Sequence, residues 1–168
     1  MSAIADRLAI MDLAAKYMRA LDRLDRALLE AQFWPDARLE YGIYSGGPRE
    51  FAGFAMQALA GHDRNHHMLG QQLIEIDGDE AHGEVYYQAW HRTTDEHGAK
   101  RDLVIAGRYI DRCERRGGVW KFAYRAEIVD WARDDPASDA ILGAMPFILG
   151  QRKPADPLYD RGAMRNQP

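Results

Sequence analysis

The stretch Gly107-Arg108-Tyr109-Ile110-Asp111-Arg112-Cys113-Glu114-Arg115-Arg116-Gly117-Gly118-Val119-Trp120-Lys121-Phe122 reads as two strands joined by a tight glycine turn. Aromatic and β-branched residues flank Arg116-Gly117-Gly118, and turns of that kind between such runs signal an antiparallel hairpin. Working outward, the same grammar repeats upstream. Asp77-Gly78-Asp79 and Glu96-His97-Gly98 punctuate long strand-like runs, giving strands over roughly 66–76, 81–94, 102–114 and 119–132.

Ahead of these strands the period changes. Ile4, Leu8, Met11, Ala15 and Met18 recur every three or four residues and predict a helix over 4–22. A second helix, near Arg26 to Phe33, ends before Pro35, because a residue preceding proline is pushed out of the helical region. Leu39, Tyr41 and Tyr44 suggest a short strand closed by Ser45-Gly46-Gly47-Pro48, and a third helix over 48–61 stops at Gly61. Three helices followed by a four-to-six-stranded curved, mostly antiparallel sheet make an α+β chain and not an α/β one. After Asp130 the composition shifts. Asp134-Asp135-Pro136 and Lys153-Pro154-Ala155-Asp156-Pro157 frame an apolar stretch, Ala140 to Leu149, expected to cap the open end of the sheet or to pack on another subunit. The last ten residues read as a loose tail. The expected division is a domain over 1–135 and a C-terminal extension over 136–168.

At 168 residues the chain fits one domain with room for a core, or for a core hollowed by a pocket. A net charge of −4 without a basic face argues against nucleic-acid binding. No run of about 18 apolar residues predicts a membrane span. Met-Ser-Ala-Ile-Ala-Asp-Arg lacks a secretory signal core, and the single cysteine, Cys113, excludes an internal disulfide. A cytoplasmic location is therefore expected. Cys113 reads as a small strand residue, since no partner that would activate a thiol is evident.

Two polar residues far apart in sequence carry the chemistry. Asp22 lies within about 40° of Met11, Ala15 and Met18 on the helical wheel, where a carboxylate faces the core and needs a partner. The alternative is a solvated residue just past the helix end, beside Arg23 and Asp25. His67 stands at the head of a strand, or is one of several histidines in a polar turn with His62 and His66. An aspartate that orients a histidine makes a general base without metal or cofactor, because the carboxylate fixes the imidazole tautomer and stabilises the protonated ring. His62 and His66 have the spacing of a zinc pair, but a helix-to-strand change intervenes and no third ligand follows. Arg125 reads either as a pocket cation or as a strand residue paired with Glu127 or Asp102. Tyr41, Tyr44, Tyr86, Trp90 and Tyr109 either line a cavity or fill the core, and His91 reads as a strand-surface histidine.

The Tyr17-to-Asp22 run, the His67 strand and the Gly-Arg-Tyr to Trp-Lys-Phe hairpin together resemble the SnoaL-like branch of the nuclear-transport-factor-2-like superfamily, over about residues 4–133. Within it the pattern is most similar to scytalone dehydratase, hexachlorocyclohexane dehydrochlorinase and bile-acid dehydratase. The resemblance implies a cone-shaped barrel wrapped on three helices, an Asp–His pair in its cavity and no cofactor. By position it makes His67 the catalytic base and Asp22 its orienting partner, with Tyr17 and Arg125 assisting a departing group. Tyr41, Tyr44, Trp90 and Tyr109 become candidates for contact with a hydrophobic or aromatic substrate. On an ideal wheel Tyr17 and Asp22 stand about 140° apart, so both line one cavity only if the helix ends or kinks near Leu21. The resemblance implies a homo-oligomer, a trimer ahead of a dimer. The activity expected is a lyase of dehydratase, dehydrohalogenase or retro-aldol type, or an isomerase. The other readings are a non-catalytic ligand-binding protein and a scaffold subunit of a ring-hydroxylating oxygenase.

Overall fold

The structure is a computed structural model and describes residues 3–165. Helix α1 (Ala3–Arg23), α2 (Arg26–Ala31), β1 (Phe33–Glu40), the two-residue β2 (Ser45–Gly46) and α3 (Pro48–Ala60) precede four long strands. These are β3 (Arg64–Asp77), β4 (Glu80–Thr94), β5 (Lys100–Arg116) and β6 (Val119–Pro136). One six-stranded sheet runs in the order β2-β1-β6-β5-β4-β3. Every pairing is antiparallel except β1 with β6. The sheet wraps α1, which packs mainly against β3, so the α+β architecture expected from the helices and hairpins is found, with the sheet curved but open between β2 and β3.

The first strand departs from expectation. Phe33 leaves α2 and opens β1, and the strand runs through Pro35 to Glu40, while Tyr41–Tyr44 form the turn. Proline is tolerated because the pairing with β6 is interrupted between Phe33 and Arg38. The apolar stripe of α1 also differs. Ile4 and Leu8 are exposed, and the buried face carries Ile10, Leu13, Ala14, Tyr17, Met18 and Leu21. Apolar residues cover more than one face of α1, so period alone does not choose between them. Asp6 anchors the buried face to the sheet by accepting hydrogen bonds from Trp120 Nε1 (2.8 Å) and Arg115 Nη1 (2.9 Å). Leu24, with φ of 51°, ends the helix in the left-handed region directly after Arg23.

An aromatic cluster joins α1 and α3 to the sheet. Tyr17 packs edge-on against Phe33 and Tyr109 and stacks with Phe51, and Tyr41 lies 4.6 Å from Phe51. Beneath it, Gly107 lets β6 approach so closely that a Cβ there would stand 1.9 Å from the carbonyl oxygen of Ile128. The strands shift register at this point.

Within the apolar stretch Ala140 to Leu149 the chain forms one helical turn, α4 (Ile141–Ala144). Beyond it the chain returns to the end of α1. The Lys153 amide donates to the Arg23 carbonyl, and Lys153 Nζ to Asp25 Oδ2 at 2.8 Å. Asp156 is buried and accepts from the Gln151 amide at 2.9 Å. A 3₁₀ turn (Pro157–Tyr159) leads into the expected loose tail, which holds helix α5 (Arg161–Arg165), and residues 166–168 lie outside the described residues.

Candidate active site

Helix α1 and edge strand β3 bring Asp22 and His67 together. His67 Nδ1 lies 2.7 Å from Asp22 Oδ1, and the His67 amide donates to both carboxylate oxygens at 3.1 and 3.2 Å. Both side chains are largely sequestered, at 6% exposure for His67 and 11% for Asp22. A carboxylate only accepts, so in the neutral ring the proton sits on Nδ1 and Nε2 keeps its lone pair. The peptide of His67 is clamped to the same group as its ring. That double hold fixes the imidazole in position as well as in tautomer, which a general base requires.

The neighbours are histidines. Alternation along β4 places Val85, Tyr87, Ala89 and His91 inward, and the His91 ring lies 5.2 Å from that of His67. Burial, reinforced by His67, His62 and Arg152, pulls His91 down to about 3, so it stays neutral at physiological pH. Asn65 organises this corner. Its amide nitrogen faces His62 Nδ1 (3.0 Å) and His91 Nδ1 (3.2 Å), and its oxygen accepts from Arg152 Nη1 (3.0 Å) and Nη2 (3.3 Å). Among the described residues no group of three or more His, Cys, Asp or Glu side chains is arranged to hold a metal ion.

Arg125 is fully buried, and its partner is neither Glu127 nor Asp102 but Asp111, one strand across. Nε and Nη2 each meet a carboxylate oxygen at 2.7 Å. The guanidinium carbon lies 4.0–4.4 Å from the ring centres of Phe122, Tyr109 and Tyr17. Burial works against the charge, but Asp111 outweighs it and holds the guanidinium above its usual range. Arg125 Nη1 is a buried donor with no hydrogen-bond partner among the described residues. Glu127, register partner of Tyr109, is raised by burial, against the pull of the Tyr87 hydroxyl, His67 and Arg125.

Tyr17 donates to, or accepts from, Tyr41 at 2.6 Å. Helix α1 runs through Leu21 to Arg23, so Tyr17 and Asp22 point different ways: Tyr17 into the aromatic cluster, Asp22 to β3. Tyr44 stacks on Phe54 and donates to the Gly47 carbonyl. Trp90 does not join Tyr41, Tyr44 and Tyr109. Alternation along β4 turns it away from His91, and its ring packs under Arg92.

Sequence reasoning put His91 on the strand surface, where the structure buries it, named Glu127 only as a partner for Arg125, and left out Asn65 and Arg152. The inward parity of Val85, Tyr87, Ala89 and His91 was a usable signal for one of them. The others depend on pairing register or on the return of the C-terminal segment.

Two open grooves meet at Asp22. One, of about 230 Å³, is polar and is walled by β3 and Gly150–Arg152. The other, of about 400 Å³, runs between α1 and β3 and includes His67, Met18, Met68 and Leu69.

A mixed six-stranded sheet curved around three helices, with an Asp–His pair where α1 meets β3, defines a nuclear-transport-factor-2-like protein. The chain belongs to the SnoaL-like domain family, whose sequence profile matches residues 2–126. No curated protein matches the chain. Among solved structures, a hexachlorocyclohexane dehydrochlorinase (LinA, type 2) is 22% identical with a TM-score of 0.71, over 87% of this chain and 95% of that one. A Novosphingobium aromaticivorans protein proposed to be a scytalone dehydratase is 22% identical with a TM-score of 0.70, over 80% of this chain and 91% of its own. A Mycobacterium tuberculosis protein of unknown function is 24% identical with a TM-score of 0.65, over 77% of each chain. At these identities the likeness is one of fold.

Proposed function

We propose that the chain is a cofactor-independent lyase, of dehydratase, dehydrohalogenase or retro-aldol type, with isomerisation as the nearest alternative on the same apparatus. The observation that carries this reading is the double clamp of Asp22 on the ring and the amide of His67, which leaves Nε2 as a fixed, sequestered base. His67 Nε2 takes a proton from a substrate carbon, and the electron pair left behind expels a group from the neighbouring carbon or delocalises into an adjacent carbonyl. In the retro-aldol case it takes the proton of a β-hydroxyl, whose oxygen forms the new carbonyl as the carbon–carbon bond breaks to an enolate. Asp22 holds the imidazole and balances the charge of the imidazolium. Arg125, whose Nη1 has no hydrogen-bond partner among the described residues, stabilises the departing group or oxyanion, with Tyr17 held beside it. His91 stays uncharged next to His67 and so does not oppose the formation of imidazolium.

The family membership supports this reading, as do the folds of the dehydrochlorinase and of the protein proposed as a dehydratase. The test is a panel of cyclic compounds bearing a hydroxyl or halide next to an acidic C–H, followed by formation of the double bond or release of halide. For any compound turned over, His67→Ala is expected to lower the rate about 10²–10⁴-fold. That is roughly 3–5 kcal/mol of transition-state stabilisation. Near-normal turnover by His67→Ala overturns the proposal, as does activity lost to a chelator and restored by zinc.

A further inference from the structure

We infer that the substrate is a small organic anion, its carboxylate or phosphate held by Arg64 and Arg152 in the polar groove while its apolar body lies against His67. The inference rests on the lyase reading and adds the class of substrate.

The first observation is the pairing of the two grooves. They share Asp22, Arg23 and His66, so a ligand in one extends directly into the other. The half that contains His67 is walled by Ala15, Met18, Met68, Leu69 and Leu158, which suits a hydrocarbon body. The polar half, at about 230 Å³, is smaller than the roughly 300–1,000 Å³ of a site for a whole drug-sized ligand. It suits a head group.

The second observation is its charge. Arg23, Arg64 and Arg152 line the polar half together with Asp22 and Asp63. The two carboxylates are occupied: both Asp22 oxygens face His67, and Asp63 pairs with Lys100. Among the arginines, Arg23 pairs with Asp156 at 3.6 Å. Arg64 and Arg152 make no ion pair among the described residues. Arg152 is half-buried, and its hydrogen bonds go to neutral acceptors: the carbonyls of Leu59 (3.2 Å) and His62 (3.0 Å) and the Asn65 oxygen. These bonds fix the guanidinium without a direct ion pair, and burial lowers it from the usual arginine range against the opposing pull of the Asp22 carboxylate. A partly desolvated cation with no direct ion pair is stabilised further by a bound anion. Planar guanidinium groups match the two oxygens of a carboxylate or phosphate.

The third observation is where these residues come from. The family profile ends at residue 126, so Gly150–Arg152 and Leu158, which wall both grooves, belong to a part of this chain outside the matched region. The segment returns to the site through Lys153 and Asp156, and with it comes the arginine that separates an anionic substrate from a neutral one.

The experiment is calorimetric titration of the full chain with benzoate, phenyl phosphate and benzamide, three single-ring probes that differ in head group. Benzoate or phenyl phosphate is expected to bind at least tenfold more tightly than neutral benzamide, weakening with added salt. Whichever anion binds more tightly identifies the head group. Arg64→Gln and Arg152→Gln are each expected to weaken the anion about tenfold or more. Arg64 makes no side-chain hydrogen bond among the described residues, so its variant keeps the test valid even if Arg152→Gln loosens the C-terminal segment. The readout is binding and not turnover, which separates this inference from the lyase reading. Equal binding of benzamide and the anions, no binding of either anion, or unchanged affinity in Arg64→Gln overturns the inference and leaves the role of His67 to its own test.

Discussion

Asp22 spends both of its oxygens on one neighbour, and this decides which nitrogen of His67 stays free. The neighbouring His91 shows the opposite use of burial. It meets only the Asn65 amide and other histidines, so nothing compensates its charge and it is pulled to about 3. The consequence for stability has a definite sign. The unfolded chain binds a proton at His91 as pH falls through 6.5, while the folded chain resists until about 3. Stability from this residue is therefore intact above 6.5 and is lost progressively between 6.5 and 3, by about 1.4 kcal/mol per pH unit at most. Urea unfolding at pH 6.5 and pH 5 is expected to show about 2 kcal/mol lost through this group, and the loss shrinks in His91→Gln. An identical loss in the variant contradicts the assignment. Neither this role nor the Arg125–Asp111 pair was legible in the sequence. Asp111 and Arg125 lie 14 positions apart and meet only because β5 and β6 pair in one particular register.

At the level of elements, the hairpins were legible because glycine turns and aromatic or β-branched runs agree at every junction. Gly117 and Gly118, with φ of 59° and 81°, adopt backbone conformations that other residues rarely reach. The first strand was not legible, because Pro35 argues against a strand and its partner, β6, lies eighty residues downstream in a parallel pairing. The misplaced α1 stripe has a similar cause: Ile4, Leu8 and Met11 are as apolar as the buried face, and only contact with β3 distinguishes them. The element most open to test is the bulged junction of β5 and β6. Gly107→Ala puts a methyl group into the Ile128 carbonyl, a backbone atom with nowhere to turn, so β6 must shift. A loss of about 2–3 kcal/mol in urea unfolding is expected, in the range of core overpacking and broken special geometry. A change below about 0.5 kcal/mol contradicts the close approach.

For the whole molecule, the site is composite: α1 supplies Asp22, β3 supplies His67 and Asn65, β4 supplies His91, and the C-terminal return supplies Arg152. Assembly extends the same logic. Ile110, Ile128 and Trp131 leave apolar surface on the long strands, and we propose that the chain forms a homotrimer through the outer face of the sheet. Light scattering at micromolar concentration is expected to give three times the chain mass. A stable monomer contradicts this, and a dimer moves the interface elsewhere. The central claim is that Asp22 acts through His67, and a double-mutant cycle tests it most directly. Rates are compared for the unaltered chain, Asp22→Asn, His67→Ala and the double variant on one substrate. Two residues that work as one unit are not additive. The account predicts that Asp22→Asn alone cuts turnover with little change in binding, and that the double variant is no slower than His67→Ala. A double variant slowed by the full product of the two single effects would show two independent groups and contradict the account.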